Sequence, residues 1–516
     1  MEHLIVLMSM VKTCELSGEA CVLTFLDIKK CFDTVTLSDM NFHLLLSDVD
    51  LKALKLFQKL TGKTRIRIQG GDKSFEVLNG EGQGGVNAAR SCSAGITEVV
   101  ERKISTHPCP VTFRGVNVAT SAFVDDTMSL DKTAVGAKIS GKCMTEALNE
   151  ISLKAHDQKT VQICCGEGEA VLKLQEELGQ LPTTVQGWNV GVKEGEKYLG
   201  VTITTGTTSD IVEANIKAKK KRIAPVVKTI RNLLKDPKIK RIGRLKAACL
   251  MIQGQVVPIL LYGVECWLGI TEAQYKKMED IFRSVICSIL SMPKTTPYEA
   301  LLHEVGQYPM RNWIDLAKIR YFNRKLHWKQ DGRLYKILRQ EIIDGEKDGF
   351  MEEVRCLCKK YNLPDVTTNP IVPSTITKRI QRDARKRIWW EVLKKRKIPM
   401  IPNTLKVNRE HHELDPMRGR LVAAFNCGAL IVKKQNPQLL PRKLMKDQFD
   451  RSCLFPGCHG LDDIHHIRHE CEFYRSKDRK IHKSDVLNTA DFLMALDQER
   501  QEVFGISLLL NVSDWS

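Results

Sequence analysis

The chain has 516 residues, 43% of them hydrophobic and 27% charged, with 79 Lys and Arg against 61 Asp and Glu. That composition excludes a disordered or collagen-like chain, and the length exceeds one compact core, so roughly three domains are expected. The net charge of +18 points to a polyanionic partner, because Lys and Arg release counterions condensed on phosphates, although an acidic membrane surface or plain solubility also fits. Seventeen cysteines, an odd number spread from Cys14 to Cys471, follow no signal-like segment and read as free thiols in a reducing, intracellular compartment. The longest apolar stretch near the middle, Val256 to Val264, is far below a membrane span, so no membrane partner is expected.

In chain order, residues 1–20 read as a helix leading into an apolar strand, Val22 to Leu26, closed by Asp27. Leu44, Leu51, Leu54, Leu56 and Leu60 give residues 37–61 a helical period. A hairpin follows, with Thr64 to Ile68 and Ser74 to Leu78 flanking Gly70-Gly71-Asp72. The glycine-rich stretch Gly80 to Gly85 then opens onto a helix from about Asn87 to Lys103. A second hairpin, around Val111 to Leu130, carries Asp125-Asp126 at its turn. Hairpins alternating with helices predict an α+β fold with a largely antiparallel sheet. From Ile211 the texture becomes helical, and Ile211 to Lys246 holds thirteen Lys and Arg against two acids, either a solvated face or a nucleic-acid surface. Leu363 to Pro373 reads as a linker. Beyond it, Lys378 to Lys397 sets ten Lys and Arg around Trp389-Trp390, rings that stack bases or anchor a helix.

Two acidic stretches hold most of the chemistry. Asp27 follows one strand-like run and Asp125-Asp126 follows another, Ala122 to Val124. Side by side, those strands would bring Asp27 and Asp125 to one sheet edge. Two-metal phosphoryl transfer asks for that: hard oxygen ligands around two cations about 4 Å apart. Taken alone, an Asp-Asp pair at a hairpin is a common turn signal.

Three further motifs change the weight of that pair. Leu26 to Val35, Gly80 to Asn87, Phe123 to Asp126, Ser152 to Val161 and Lys197 to Val201 follow one another in a fixed order. With them, residues 20–204 resemble the palm of reverse transcriptases of non-LTR (LINE-like) retrotransposons. The resemblance implies a right-hand polymerase palm followed by a helical thumb. It implies an RNA-directed DNA polymerase, a nucleotidyltransferase that extends a DNA 3′ end on an RNA template with two Mg²⁺ ions. Asp27 and Asp125 would bind both ions, with Asp126 as a supporting ligand and the Ile28 carbonyl as a further one. Phe32 would set its ring against the sugar and exclude a 2′-hydroxyl, an ordinary core Phe being the alternative. Gln83 and Gly84 would lie under the incoming base pair, where glycine lets the backbone approach closely. Lys159 would protonate or hold the departing pyrophosphate, a plain surface lysine being the alternative. Tyr198, Leu199 and Gly200 would form the primer grip. The pattern departs from the family in two places. Gly85-Val86-Asn87-Ala88-Ala89 replaces a proline- and serine-containing turn, and the chain begins 26 residues before Asp27. An amino-terminally truncated element with partial fingers is therefore expected.

Pro258 to Trp267 and Leu301 to Gly306 resemble the helical region after such a palm, within which Tyr262-Gly263 reads as core packing. Cys453-x4-Cys458-x7-His466-x4-Cys471 offers three thiolates and an imidazole, a set suited to tetrahedral Zn²⁺. His459, His465 and His469 are competing ligands, and a metal-free cluster stays open. The His-x4-Cys ending resembles the zinc-knuckle-like tail of non-LTR elements. The expected organisation is a palm with partial fingers over 1–204, a helical thumb and following region over 205–345 and a basic helical linker region over 346–445. A zinc-knuckle-like segment over 446–484 and a tail over 485–516 complete it. The expected partners are an RNA template, a DNA primer or target and deoxynucleoside triphosphates, in nucleus and cytoplasm. Two rival readings are a catalytically inactive nucleic-acid-binding relic and a maturase-like splicing cofactor.

Overall fold

The computed structural model describes residues 1–30, 106–123, 126–235, 244–328 and 332–394 continuously, with short stretches and single positions elsewhere. Helix α1 (Glu2–Ser17) ends at Gly18, whose φ of 68° lies in the left-handed region that side chains disfavour. The Glu19 amide reaches back to the Cys14 carbonyl at 2.8 Å, and the chain reverses into β1 (Ala20–Leu26). All seven β1 residues are buried, the signature of a strand covered on both faces.

A short hairpin, β2 (Arg65–Arg67) with β3 (Ser74–Glu76), stands where Gly70-Gly71-Asp72 predicts it. Residues 111–130 form two hairpins rather than the one expected. The first is β4 (Thr112–Phe113) with β5 (Val116–Asn117), turning at Arg114 and Gly115 with φ of 48° and 71°. The second is β6 (Thr120–Phe123) with β7 (Asp126–Asp131). Helix α2 (Ala134–Glu150) starts at Thr133, whose side chain accepts the Gly136 amide, a cap that contributes about 1 kcal/mol. After it come β8 (Val161–Gly166), α3 (Gly168–Gln180), the small pair β9 (Thr184–Val185) and β10 (Trp188–Asn189), and β11 (Gly191–Val192). A last hairpin joins β12 (Gly195–Tyr198) to β13 (Val201–Thr204).

Among the described residues the main sheet runs β11-β8-β1-β7-β6, antiparallel except for β11 against β8. Alternation along β1 splits its side chains between the two faces of the sheet. Cys21, Leu23 and Phe25 pack with α1 residues such as Leu7, Met8 and Val11. Val22 packs with Ala134, Ala137 and Leu174 of α2 and α3, and Leu26 with Met144 and Leu148 of α2.

The rest is helical: α4 (Thr208–Lys235), α5 (Arg244–Met251), a π turn over Ile252–Val256, α6 (Val257–Leu261), α7 (Glu272–Leu290) and α8 (Tyr298–Val305). Then follow α9 (Met310–Trp328), α10 (Gly332–Asp344), α11 (Phe350–Lys360) and α12 (Pro373–Lys394). Lys246–Cys266 is long and apolar enough to cross a membrane by length and composition, which counting only Val256 to Val264 misses. Its Ile252, Val256, Leu260 and Val264 are buried in the protein core, while Leu250 and Tyr262 are exposed.

Leu363 to Pro373 is packed rather than a free linker. Val366 and Ile371 are buried, and the Asn323 side chain bonds both the amide and the carbonyl of Ile371 at 2.8 Å. A buried charge pair ties this helical layer to the sheet layer: Arg114 meets Glu341 at 2.8 Å.

Candidate active site

The register of the central strands decides which charged groups meet. Phe25 of β1 stands opposite Met128 of β7 and Val161 of β8, so these three side chains share a face. Two residues on from Phe25 is Asp27; two residues back from Met128 is Asp126, and two back from Val161 is Lys159. Alternation along β7 puts Asp126 on the face of Met128, while Asp27 and Lys159 lie just past the paired ends of β1 and β8 at that same end of the sheet. The ion pair agrees: Lys159 Nζ lies 3.5 Å from Asp27 Oδ2, with side chains 64% and 35% exposed.

Backbone pairing past the end of β1 fixes Asp27. The His156 amide donates to the Asp27 carbonyl at 2.7 Å, Ile28 bridges Ala155, and the Lys29 amide donates to the Lys154 carbonyl at 2.8 Å. Lys29 Nζ then meets Asp157 at 3.2 Å and holds that carboxyl below its usual range. Lys29 and Asp157 thus secure the loop that presents Lys159. The sequence reading missed the pair, although it lies inside two quoted motifs whose strands are neighbours.

Asp126 is the first residue of β7, exposed and paired with Phe123. Tyr198 lies on the same face, its ring centroid 5.1 Å from that of Phe25. Burial and then the nearby Asp126 charge push its phenol well above the ordinary tyrosine value. Its hydroxyl oxygen lies 3.4 Å from His3 Nδ1, and burial lowers His3 to about 4, so neutral imidazole stands there. Nothing in the sequence flags His3, which sits 195 residues away. Leu199 and Gly200, with φ of 47° and 79°, make the two-residue turn of the β12–β13 hairpin. Gln162, within the same layer, donates to the Thr24 and Thr183 hydroxyls at 3.0 and 2.9 Å and locks β8 to β1.

Asp125, Phe32, Gln83 and Gly84 lie outside the described residues, as do Cys453, Cys458, His466 and Cys471. Ile28 is buried beside Asp27. Two carboxylates at one strand end suit hard divalent cations such as Mg²⁺, because the donors are oxygens. Among the described residues no group of three or more His, Cys, Asp or Glu is clustered as a metal site.

Of the basic run from Ile211 to Lys246, the part in α4 borders a groove of about 870 Å³ between α4 and α7. Its lining includes Ile216, Ile223 and Val285, with Lys217, Lys220 and Arg231 among the cationic members.

Residues 2–203 match the reverse transcriptase (RNA-dependent DNA polymerase) family. That stretch is thus similar to the domain of RNA-directed DNA polymerases, which are nucleotidyltransferases. A search of curated proteins gives no match. Among solved structures, the chain is similar to telomerase from Candida albicans in complex with a fragment of telomeric RNA. The two are 10% identical with a TM-score of 0.28, over 71% of this chain and 53% of that one. The chain thus spans about half the length of that telomerase.

Proposed function

We propose that the chain is the RNA-directed DNA polymerase of a non-LTR retrotransposon, extending a DNA 3′ end on an RNA template by nucleotidyl transfer. One observation carries the reading: Asp27, Asp126 and Lys159 come together at one end of the sheet of a domain that matches reverse transcriptases. In this reading Asp27, Asp125 and Asp126, with the Ile28 carbonyl, would hold two Mg²⁺ ions. When bound, those ions would supply Lewis-acid activation of the primer 3′-hydroxyl and neutralise triphosphate charge.

The remaining work falls to the chain's own groups. Lys159, held near Asp27 by the Lys29–Asp157 pair, delivers its Nζ proton or its charge to the departing pyrophosphate. Gln83 and Gly84 support the incoming base pair, and the Phe32 ring excludes a 2′-hydroxyl. Tyr198, Leu199 and Gly200 hold the primer end. The basic helices from α4 onward track the template–primer hybrid through its phosphates. Cys453, Cys458, His466 and Cys471 hold a structural Zn²⁺ in a segment that assists nucleic-acid binding. The partners are an RNA template, a DNA primer or target and deoxynucleoside triphosphates, met in nucleus and cytoplasm.

The test is primer extension on an RNA template with Mg²⁺, comparing the full chain with its Asp125→Asn form. Extension that disappears in the variant supports the reading. Binding without extension in both forms overturns it in favour of an inactive relic. Metal analysis of the purified chain, before and after chelation, checks the zinc assignment separately.

A further inference from the structure

The Tyr262-Gly263 dipeptide does not behave as core packing. Tyr262 is 49% exposed, yet its hydroxyl donates to the Leu199 carbonyl at 2.7 Å, across 63 residues of sequence. Its ring covers the next residue so closely that a Cβ on Gly200 would lie 2.8 Å from the ring carbon Cε1. Gly263, with φ of 76°, fits in turn against Val201, where a Cβ would meet Cγ2 at 2.8 Å. A half-exposed aromatic side chain is therefore applied to a backbone turn, and that turn holds a leucine at φ 47°, a conformation that needs outside support.

Helix α4 secures both sides of this contact. Asn215 bonds the Thr202 amide at 3.0 Å and the Thr202 carbonyl at 2.7 Å, fixing β13. One helical turn later, Lys219 donates to the Ile259 and Tyr262 carbonyls and lies 5.3 Å from the Trp267 ring centroid. Lys219 is buried, and the two carbonyls and the ring offer partners for its ammonium. At the near end of the same turn, Tyr198 packs at a tilt against Phe25 at the end of the sheet where Asp27 and Asp126 stand. Movement of the turn is thus movement relative to those carboxylates.

We infer that Tyr262 is a positioning residue: held from below by Lys219, it sets the Leu199–Gly200 turn, and with it the primer end, against the carboxylate end of the sheet. The inference rests on the polymerase reading proposed above. It assigns a role to the tyrosine of the Pro258 to Trp267 stretch, which otherwise reads as packing.

Two measurements on the full chain test it. Hydrogen exchange of residues 195–204 should speed up about fivefold in Tyr262→Phe and further in Tyr262→Ala, with β1, β7 and β8 unchanged. In primer extension, Tyr262→Phe should raise the KM for primer–template about fivefold while leaving the KM for deoxynucleotide within about twofold. Gly200→Ala should be less damaging in the Tyr262→Ala background than in the unaltered chain, since the ring it collides with is gone. If the unaltered chain extends primers and both Tyr262 variants keep its exchange and KM, the positioning role alone falls. If the unaltered chain extends no primer, the polymerase reading falls and takes the role with it.

Discussion

Charged residues meet in two very different settings in this molecule. At the end of β1, Asp27 and Lys159 stand 3.5 Å apart with side chains 35% and 64% exposed. Where the helical layer docks on the sheet layer, Arg114 and Glu341 stand 2.8 Å apart with side chains 6% and 1% exposed. Arg114 sits in the β4–β5 turn and Glu341 in α10, where it also accepts the Met351 amide at 2.6 Å. An exposed pair exchanges partners at little cost, so it can admit a substrate or a cation. A buried pair cannot lose one member without stranding the other. Exposure, more than the identity of the charges, separates groups available for chemistry from groups that hold layers together.

The largest expected effect breaks the exposed side of that contrast. Asp27→Asn should lower primer extension on the order of 10³-fold while leaving the melting temperature unchanged, as assayed by extension and by thermal unfolding. The buried side should respond in the opposite sense. Arg114→Met should cost about 3–5 kcal/mol of stability by urea unfolding, and Arg114→Met with Glu341→Gln, which keeps an acceptor for the Met351 amide, should recover most of it. A double variant as unstable as the single would show that the junction depends on the charges themselves.

Lys159→Met sharpens the comparison further. It should lower kcat on the order of 10²-fold with the KM for primer–template unchanged, and Lys159→Arg should retain part of the rate if charge alone is needed. The smallest effect concerns a third, fully buried carboxyl. Burial pushes Asp131 up from 3.8 to about 6, against the opposing pull of the Ser140 hydroxyl at 2.9 Å, His107 and Ser129. Between those values the folded chain holds more protons than the unfolded chain, so stability falls as pH rises from about 4 to 6. Asp131→Asn should flatten that fall, removing roughly 2–3 kcal/mol of pH dependence in melts taken across the window.

The parts of this structure readable from sequence are those whose signal is local. Val22 to Leu26 is an apolar run, and a buried central strand is what such a run can become. Asp27, Asp126 and Lys159 were legible as members of ordered motifs, and the β1–β7 pairing with the Lys159–Asp27 ion pair brings them to one end of the sheet. Other features needed distance information that no short window holds. Arg114 and Glu341 are separated by 227 residues and each reads as a surface charge. Tyr262 reads as core because its neighbours are apolar, while its partner is a carbonyl in another layer. Leu363 to Pro373 reads as a linker from its Asn and Pro content, yet two apolar residues and Asn323 fasten it down. The division of Val111 to Leu130 into two hairpins was available in principle, since Arg114-Gly115 is a turn signal that the Asp-Asp pair overshadowed.

The outer strands of the main sheet have one further consequence. Among the described residues it stops on one side at β11, two residues long, and on the other at β6, four residues long. Such brief margins present few unpaired amides for a foreign strand to zip onto.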